Sequence, residues 1–400
     1  MTTGLILMGG GARAAYQVGV LAAVREILAA EGRPDALNPF DVICGTSAGA
    51  INAAALAAQA DDFGQGIDKL VKVWATLRAS DIYRTDLRRA GGNALHWVAA
   101  LTLGWIVRTQ PRSLFDNTPL AELLERTIDF GRFRRALAAG NLQALAITAS
   151  SYTSGQHVTY YQSRIPVPPW SRIQRLSCET RIGVEHLLAS VAIPFVFPAV
   201  SLPLDGRREY FGDGSIRQVA PISPAIHLGA DRVLIVGAGR LEQGTPAAEH
   251  TSSQYVYPSL AQIAGHALSS IFLDGLANDI ERLTRINRTI GLVPNEQRGD
   301  ALLRPIEILA IVPSQRLDTL AVGRAKALPR TIRTILQMTG ATDRRGAALV
   351  SYLLFESVYT GELIALGRSD TMARRDDVRA FFAPEFSEPS DAPAPPPPYV

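Results

Sequence analysis

The stretch FDVICGTSAGAINAAALAA, residues 40–58, carries the fold. An apolar run ends at Gly45 and an alanine-rich run begins just past Ser47. Alanine is the best helix former, so the segment reads as a buried strand bent sharply into a helix. Ser47 stands at the bend between Gly45 and Gly49. G-x-S-x-G between strand and helix is the spacing of a nucleophile elbow, which thrusts a serine hydroxyl out at the end of a strand. A helix starting after Ser47 also aims its free N–H groups and the positive end of its dipole toward that hydroxyl. Chance alone gives roughly 0.1 to 0.2 such matches in a chain with this glycine and serine content, so the surrounding segments have to support it. The competing reading is a tight turn that simply needs small residues.

Upstream, GLILMGG (4–10) reads as a short buried strand, and AAYQVGVLAAVREILAAEG (14–32) as a helix stopped by Gly32, with Pro34 beyond. Downstream, the apolar runs LQALAITASS (142–151), RVLIVGAG (232–239) and IEILAIVPS (306–314) continue the alternation. Strand and helix in turn imply a parallel sheet covered on both faces, a three-layer α/β/α sandwich with its ligands at the carboxyl edge of the strands. After residue 320 the pattern is helical only, with RTIRTILQMTG (330–340) and RGAALVSYLLFESVYTGELIALG (345–367). The expected division is therefore an α/β domain over 1–320, a helical extension over 321–383, and a disordered proline-rich tail over 384–400.

The composition excludes several classes. Apolar residues are 47% of the chain and charged ones 19%, and the mean hydropathy is +0.09, which fits a globular protein and not a disordered one. The net charge of +3, with signs mixed along the chain, argues against a nucleic-acid partner. Two cysteines, Cys44 and Cys178, make neither a disulfide framework nor a four-ligand zinc site, and no metal is expected. The beginning MTTGLILMGGG lacks a basic leader, and no run supplies the roughly 20 apolar residues of a membrane span, so the expected location is cytoplasmic. NALHWVAALTLGWIV (93–107) has two readings, a core helix or an interfacial one with Trp97 and Trp105 at headgroup depth. The second would add transient contact with a membrane surface.

The loop GGGARA (9–14) also lies between a strand and a helix. Its glycines let the backbone approach a ligand and aim successive N–H groups at one point, as an oxyanion hole requires. Gly9-x-Gly11-x-x-Ala14 equally satisfies a dinucleotide fingerprint, which would make the chain an NAD(P)-binding oxidoreductase. That fingerprint needs an acidic residue at the end of the second strand, where this chain has Gly45-Thr46-Ser47, with Asp41 ahead of the strand instead. For the base that Ser47 needs, His227, His250 and His266 follow a plausible acid but sit in no catalytic-loop context. Asp213, in EYFGDGSIRQVAP (209–221), is flanked by glycines, and in a dry pocket its pKa can rise toward neutrality. The plain alternative for Asp213-Gly214 is an ordinary turn.

Together these segments resemble the patatin-like phospholipase family: GGGARA at 9–14, GTSAG at 45–49, ASVAIPFVFPAV at 189–200 and DGS at 213–215, in that order. Ala14 stands where the family's loop ends in glycine, and Ser215 where it has glycine or alanine. The resemblance implies a lipid acyl hydrolase without cofactor, acting on phospholipids or related lipid esters. It implies Ser47 as nucleophile, Asp213 as its base, and the N–H groups of Gly9, Gly10, Gly11 and Ala12 around the oxyanion. Gly45, Gly49 and Gly214 would shape the two turns, and Arg13 would hold the loop or meet a lipid phosphate. A further alternative is a catalytically silent lipid-binding protein of the same fold.

Overall fold

In a computed structural model of the chain, the described residues are 1–84, 113–240, 257–293, 303–338, 340–341 and 346–383. The segment 93–107 with Trp97 and Trp105, His250 and the tail 384–400 lie outside them.

Among the described residues, ten strands form one sheet: β1 (Thr3–Leu7), β2 (Val42–Thr46), β3 (Ala144–Ser151), β4 (His157–Ser163), β5 (Ser171–Arg172), β6 (Arg175–Glu179), β7 (Val200–Leu204), β8 (Arg207–Asp213), β9 (Arg232–Val236) and β10 (Glu307–Ile311). β10, β9, β1, β2 and β3 run parallel in that order. Beyond β3 the sheet changes character, because β4 and β8 both pair with it antiparallel and β7 closes on β8. The strands read as continuous apolar runs because the parallel part is covered on both faces.

The alternation along β1 separates the layers. Leu5 and Leu7 point into the larger core, with Tyr16 and Val20 of α1 (Ala15–Ala30) and Ala50 and Ala53 of α2 (Ala48–Ala57). Helices α3 (Phe63–Thr76), α4 (Thr118–Thr127) and α5 (Val184–Ser190) follow in the chain, and the first two add Trp74 and Leu124 to the same core. Ile6 and Met8 point the other way, onto α6 (Ser223–His227) and α7 (Leu260–Gly291), through Ala225, Leu276 and Leu283. This is a three-layer α/β/α sandwich with a mostly parallel central sheet.

Contrary to the expectation that no run is apolar enough for a membrane span, α7 reaches that length and composition, as does α8 (Ala347–Leu353) if joined to α9 (Ser357–Ala373) across their bend. Within the fold, α7 covers the sheet: Leu276 and Leu283 are buried in the smaller core, and Asp279 accepts the Ile222 N–H at 3.0 Å.

The helices after residue 320, read from the sequence as an extension, share the larger core through Val350, Leu353, Tyr359 and Leu363. Helix α9 lies directly on α1: a Cβ at Gly19 would fall 2.0 Å from the Ile364 carbonyl oxygen, and one at Gly367 2.2 Å from that of Tyr16. Glycine on both helices is what lets them cross this closely.

Candidate active site

Strand β2 ends at Thr46, and Ser47 makes the turn into α2 with φ 54° and ψ −131°. Positive φ is a strained conformation for a non-glycine residue, held here by the packing around it. A Cβ at Gly49 would come within 2.1 Å of the Leu7 carbonyl oxygen, so α2 can sit against the end of β1 only with glycine there. Gly45, at the other side of the turn, is packed as tightly against Ala50.

Asp213 is the last residue of β8 and reaches the same place from the other side of β3. Ser47 Oγ donates a 2.5 Å hydrogen bond to Asp213 Oδ2, and the Ser215 N–H donates to Oδ1 at 2.9 Å. Both Ser47 and Asp213 are only 1% exposed. Burial pushes the Asp213 carboxyl up to about 6, against the opposing pull of the bonds from Ser47 and Ser215. A carboxylate poised near neutrality beside a serine hydroxyl is suited to taking that hydroxyl's proton. The Ser215 hydroxyl lies beside Gly9.

The loop after β1 brings Gly9, Gly10, Gly11 and Ala12 to the same sheet edge. Gly11 opens a short 3-10 turn over Gly11–Ala14 with φ 53°, and a Cβ there would meet the Tyr352 carbonyl oxygen at 2.3 Å, so glycine is required twice over. Arg13 is buried and faces inward: Nε and Nη2 donate to Ser351 Oγ, Nη1 donates to Tyr352 OH, and the guanidinium lies 3.9 Å from the centre of the Tyr352 ring. Arg13 thus ties the loop to α8. Ala14, completely buried, fits where the family pattern has glycine.

Several further residues hold this arrangement, some of them inside segments the sequence reading singled out and others, such as Thr148 and His157, not named by it. Ser190, at the end of α5, accepts the Ser47 N–H at 2.8 Å, and the Ala192 carbonyl accepts the Asp213 N–H at 2.9 Å. One segment, inside ASVAIPFVFPAV, therefore fixes the backbone of both partners. Thr46 Oγ1 accepts from Gln218 Nε2 at 2.7 Å and meets Thr148 Oγ1 at 2.6 Å, bracing the elbow against β3. His157 Nε2 lies 3.1 Å from the Gly214 carbonyl oxygen, and burial holds this imidazole down at about 4, so it stays neutral and donates that bond. His227 stacks on Trp170, 4.7 Å between ring centres. Among the described residues, no three His, Cys, Asp or Glu side chains gather as a metal site would need. Cys44 is buried, which raises its thiol to about 12 and leaves it inert.

Ser47 and Gly11 both line a partly open cavity of about 80 Å³ whose other walls are mostly apolar, among them Ile51, Trp74, Leu124 and Phe355. An apolar lining beside a few polar groups suits a hydrophobic ligand.

The structure is similar over 91% of its length to the crystal structure of VipD from Legionella pneumophila, covering 67% of that chain, at TM-score 0.31 and 13% identity. It is similar over 87% of its length, covering 70% of the other chain at TM-score 0.26 and 16% identity, to a structure of full-length ExoU with SpcU from the type III secretion system of Pseudomonas aeruginosa. No curated protein matches. The family described as patatin-like phospholipase matches residues 5–226, more than half of the chain and the whole span from the Gly9 loop through Ser47 to Asp213. On that match, the chain belongs to the patatin-like phospholipase family.

Proposed function

We propose that this protein is a serine acyl-ester hydrolase acting on phospholipids or related lipids through a Ser47–Asp213 dyad. The observation that carries the reading is the 2.5 Å bond from Ser47 Oγ to a buried carboxylate whose pKa is raised to about 6. Ser47 Oγ attacks the ester carbonyl carbon while Asp213 takes its proton. The bond from that carbon to the alcohol oxygen then breaks, and the proton passes to the leaving alcohol. Water attacks the acyl-serine ester, giving one proton to Asp213 and through it restoring the Ser47 hydroxyl, and the fatty acid leaves. The N–H groups of Gly10, Gly11 and Ala12, with the N-terminus of α2, face the developing oxyanion, each donor lowering the barrier by about 3 kcal/mol.

The rival dinucleotide site finds less support. At the end of β2, where a ribose-binding carboxylate would stand, Thr46 is engaged with Gln218 and Thr148.

Hydrolysis of p-nitrophenyl esters and of phospholipid vesicles by the wild type, Ser47→Ala, Asp213→Asn and a histidine-free variant tests the dyad. Turnover is expected to vanish in the first two variants and to survive the loss of every histidine in protein that still folds. Full activity in Asp213→Asn would overturn the assignment of the base. NAD(P) binding unaffected by Ser47→Ala would favour the oxidoreductase, and vesicle binding without turnover in the wild type would favour a silent lipid-binding protein.

A further inference from the structure

The cavity beside Ser47 has a direction. Its lining residues on and beyond α2 are Ser47, Ala48, Ile51, Ala55 and Gln59, of which Ser47, Ile51, Ala55 and Gln59 recur at every fourth position and form one stripe. α3 and the residue after it face this stripe with Gly66, Leu70, Val73 and Leu77, and α4 with Leu120, Leu123 and Leu124. Apolar side chains occupy the walls, and Ile51, Ala55, Val73 and Leu123 are only half-buried because the cavity lies against them.

The end farthest from Ser47 is polar. Gln59, 6% exposed, accepts a 3.1 Å bond from Lys69 Nζ, and the same ammonium donates to Gln65 Oε1 at 2.9 Å, with Lys69 and Thr127 reaching solvent.

We propose that this cavity is an acyl-chain ruler: the fatty acyl tail of the substrate lies along α2 from Ser47 toward the Gln59–Lys69 pair, which sets its length limit. The inference rests on Ser47 being the nucleophile. At a rise of about 1.5 Å per residue, the twelve positions from Ser47 through α2 to Gln59, just past its end, span roughly 18 Å. An extended chain advances about 3.5 Å for every three bonds, so that distance holds about fourteen to fifteen carbons. Each methylene entering the apolar walls favours binding about fourfold, a gain that stops where the tail would have to part Lys69 from Gln59 and leave polar groups unpaired. Ala55, about 12 Å from Ser47, is where a larger side chain would shorten the ruler to about ten carbons.

The test is kcat/KM for p-nitrophenyl esters from C4 to C18, presented at constant mole fraction in mixed micelles, for the wild type, Ala55→Phe and Gln59→Ala, with Ser47→Ala as the control for true turnover. The wild type is expected to climb to about C14 and fall at C18. In Ala55→Phe the C14-to-C4 ratio should drop at least about tenfold. In Gln59→Ala the C18-to-C14 ratio should rise. If Ala55→Phe does not fold, Gln59→Ala at the partly solvated end decides alone. Wild-type chain-length profiles in the folded variants, with turnover still dependent on Ser47, would overturn the ruler and leave the dyad standing. Ester turnover indifferent to Ser47→Ala would overturn both.

Discussion

Ser47 Oγ and Asp213 Oδ2 are 2.5 Å apart although 166 positions separate the two residues in the chain. The register of β3 brings them together: Thr148 pairs with Thr46 on its parallel side, and the next residue, Ala149, pairs with Asp213 on its antiparallel side. Because side chains alternate along a strand, a slip of one residue between β8 and β3 would turn Asp213 to the opposite face of the sheet. The geometry of the dyad is thus a property of sheet register, fixed further by the Ala192 carbonyl that accepts the Asp213 N–H.

The first expected outcome is a pH profile. As general base, Asp213 must be ionised, and burial pushes its carboxyl up to about 6. The pH dependence of kcat/KM reports the free enzyme's base, so kcat/KM on a soluble ester should rise about tenfold per pH unit below 6 and level off above it. His157, held neutral by burial with a pKa of about 4, should add no limb between pH 5 and 8. An acid limb that moves on replacing a histidine, with the protein still folded, would assign the base elsewhere.

The same two residues should cost stability. Asp213 has a folded-state pKa of about 6 against an ordinary 3.8, so between those values the folded protein binds more protons than the unfolded chain. Stability therefore falls as pH rises from about 4 to about 6 and stays low above it, by a loss on the order of 3 kcal/mol for a shift of about two units. Asp213→Asn, which does not titrate, is expected to melt higher than the wild type at pH 8 and to match it at pH 4. Ser47 at φ 54° adds strain that glycine does not feel, so Ser47→Gly should gain about 1 kcal/mol while losing activity. Calorimetry at the two pH values checks both; an Asp213→Asn protein less stable than wild type at pH 8 would contradict the argument.

The parallel half of the fold was legible because its strands are buried on both faces and stand out as unbroken apolar runs: 4–10, 142–151, 232–239 and 306–314 each contain or overlap an observed strand. The antiparallel half was not. β4 (HVTYYQS) and β6 (RLSCE) interleave polar residues with apolar ones, and β7 (VSLPL) holds a proline, so none produces a run that separates it from loop. Ser47 and the Gly9 loop could be read from local spacing, because a sharp turn constrains the residue types beside it. The contacts of Ser190, His157, Thr148 and Gln218 with the site join residues from 57 to 172 positions apart in the chain, a separation no local pattern encodes. Arg13 was left between two roles, and its partners Ser351 and Tyr352 lie some 338 positions away.

Those partners separate the two roles by experiment. A phosphate-binding arginine would matter for phospholipids and little for neutral esters. Arg13 is 5% exposed and spends its donors on Ser351 and Tyr352, so Arg13→Lys, which loses the forked geometry, should slow p-nitrophenyl butyrate and phospholipid hydrolysis by similar factors. It should also destabilise the protein by about 2 to 4 kcal/mol, because breaking a buried, hydrogen-bonded charge leaves its partners unpaired. Parallel kcat/KM and melting measurements check this; a defect confined to phospholipid, with the melting temperature unchanged, would return Arg13 to the headgroup.

The last expectation concerns the helices after residue 320. If they were an appendage, a chain ending at residue 320 would fold and hydrolyse esters. Instead, α9 covers α1 through the close crossing at Gly19 and Gly367, and Asp370 accepts hydrogen bonds from the Tyr16 hydroxyl at 3.0 Å and from Ser314 N at 2.9 Å. Just ahead of it, Tyr352 supports Gly11 and Arg13, and Phe355 forms part of the cavity wall. Removing residues 321–383 would expose the apolar face of α1 and release the Gly9 loop at once. The 1–320 fragment is expected to be insoluble or molten, with lost near-ultraviolet circular dichroism and no esterase activity. A gentler probe acts at the same contact: Gly367→Ala places a methyl group 2.2 Å from the Tyr16 carbonyl oxygen and should lower the melting temperature by several degrees, with the dyad chemically untouched. A soluble fragment 1–320 with wild-type kcat/KM on short esters would show instead that the site is complete without these helices.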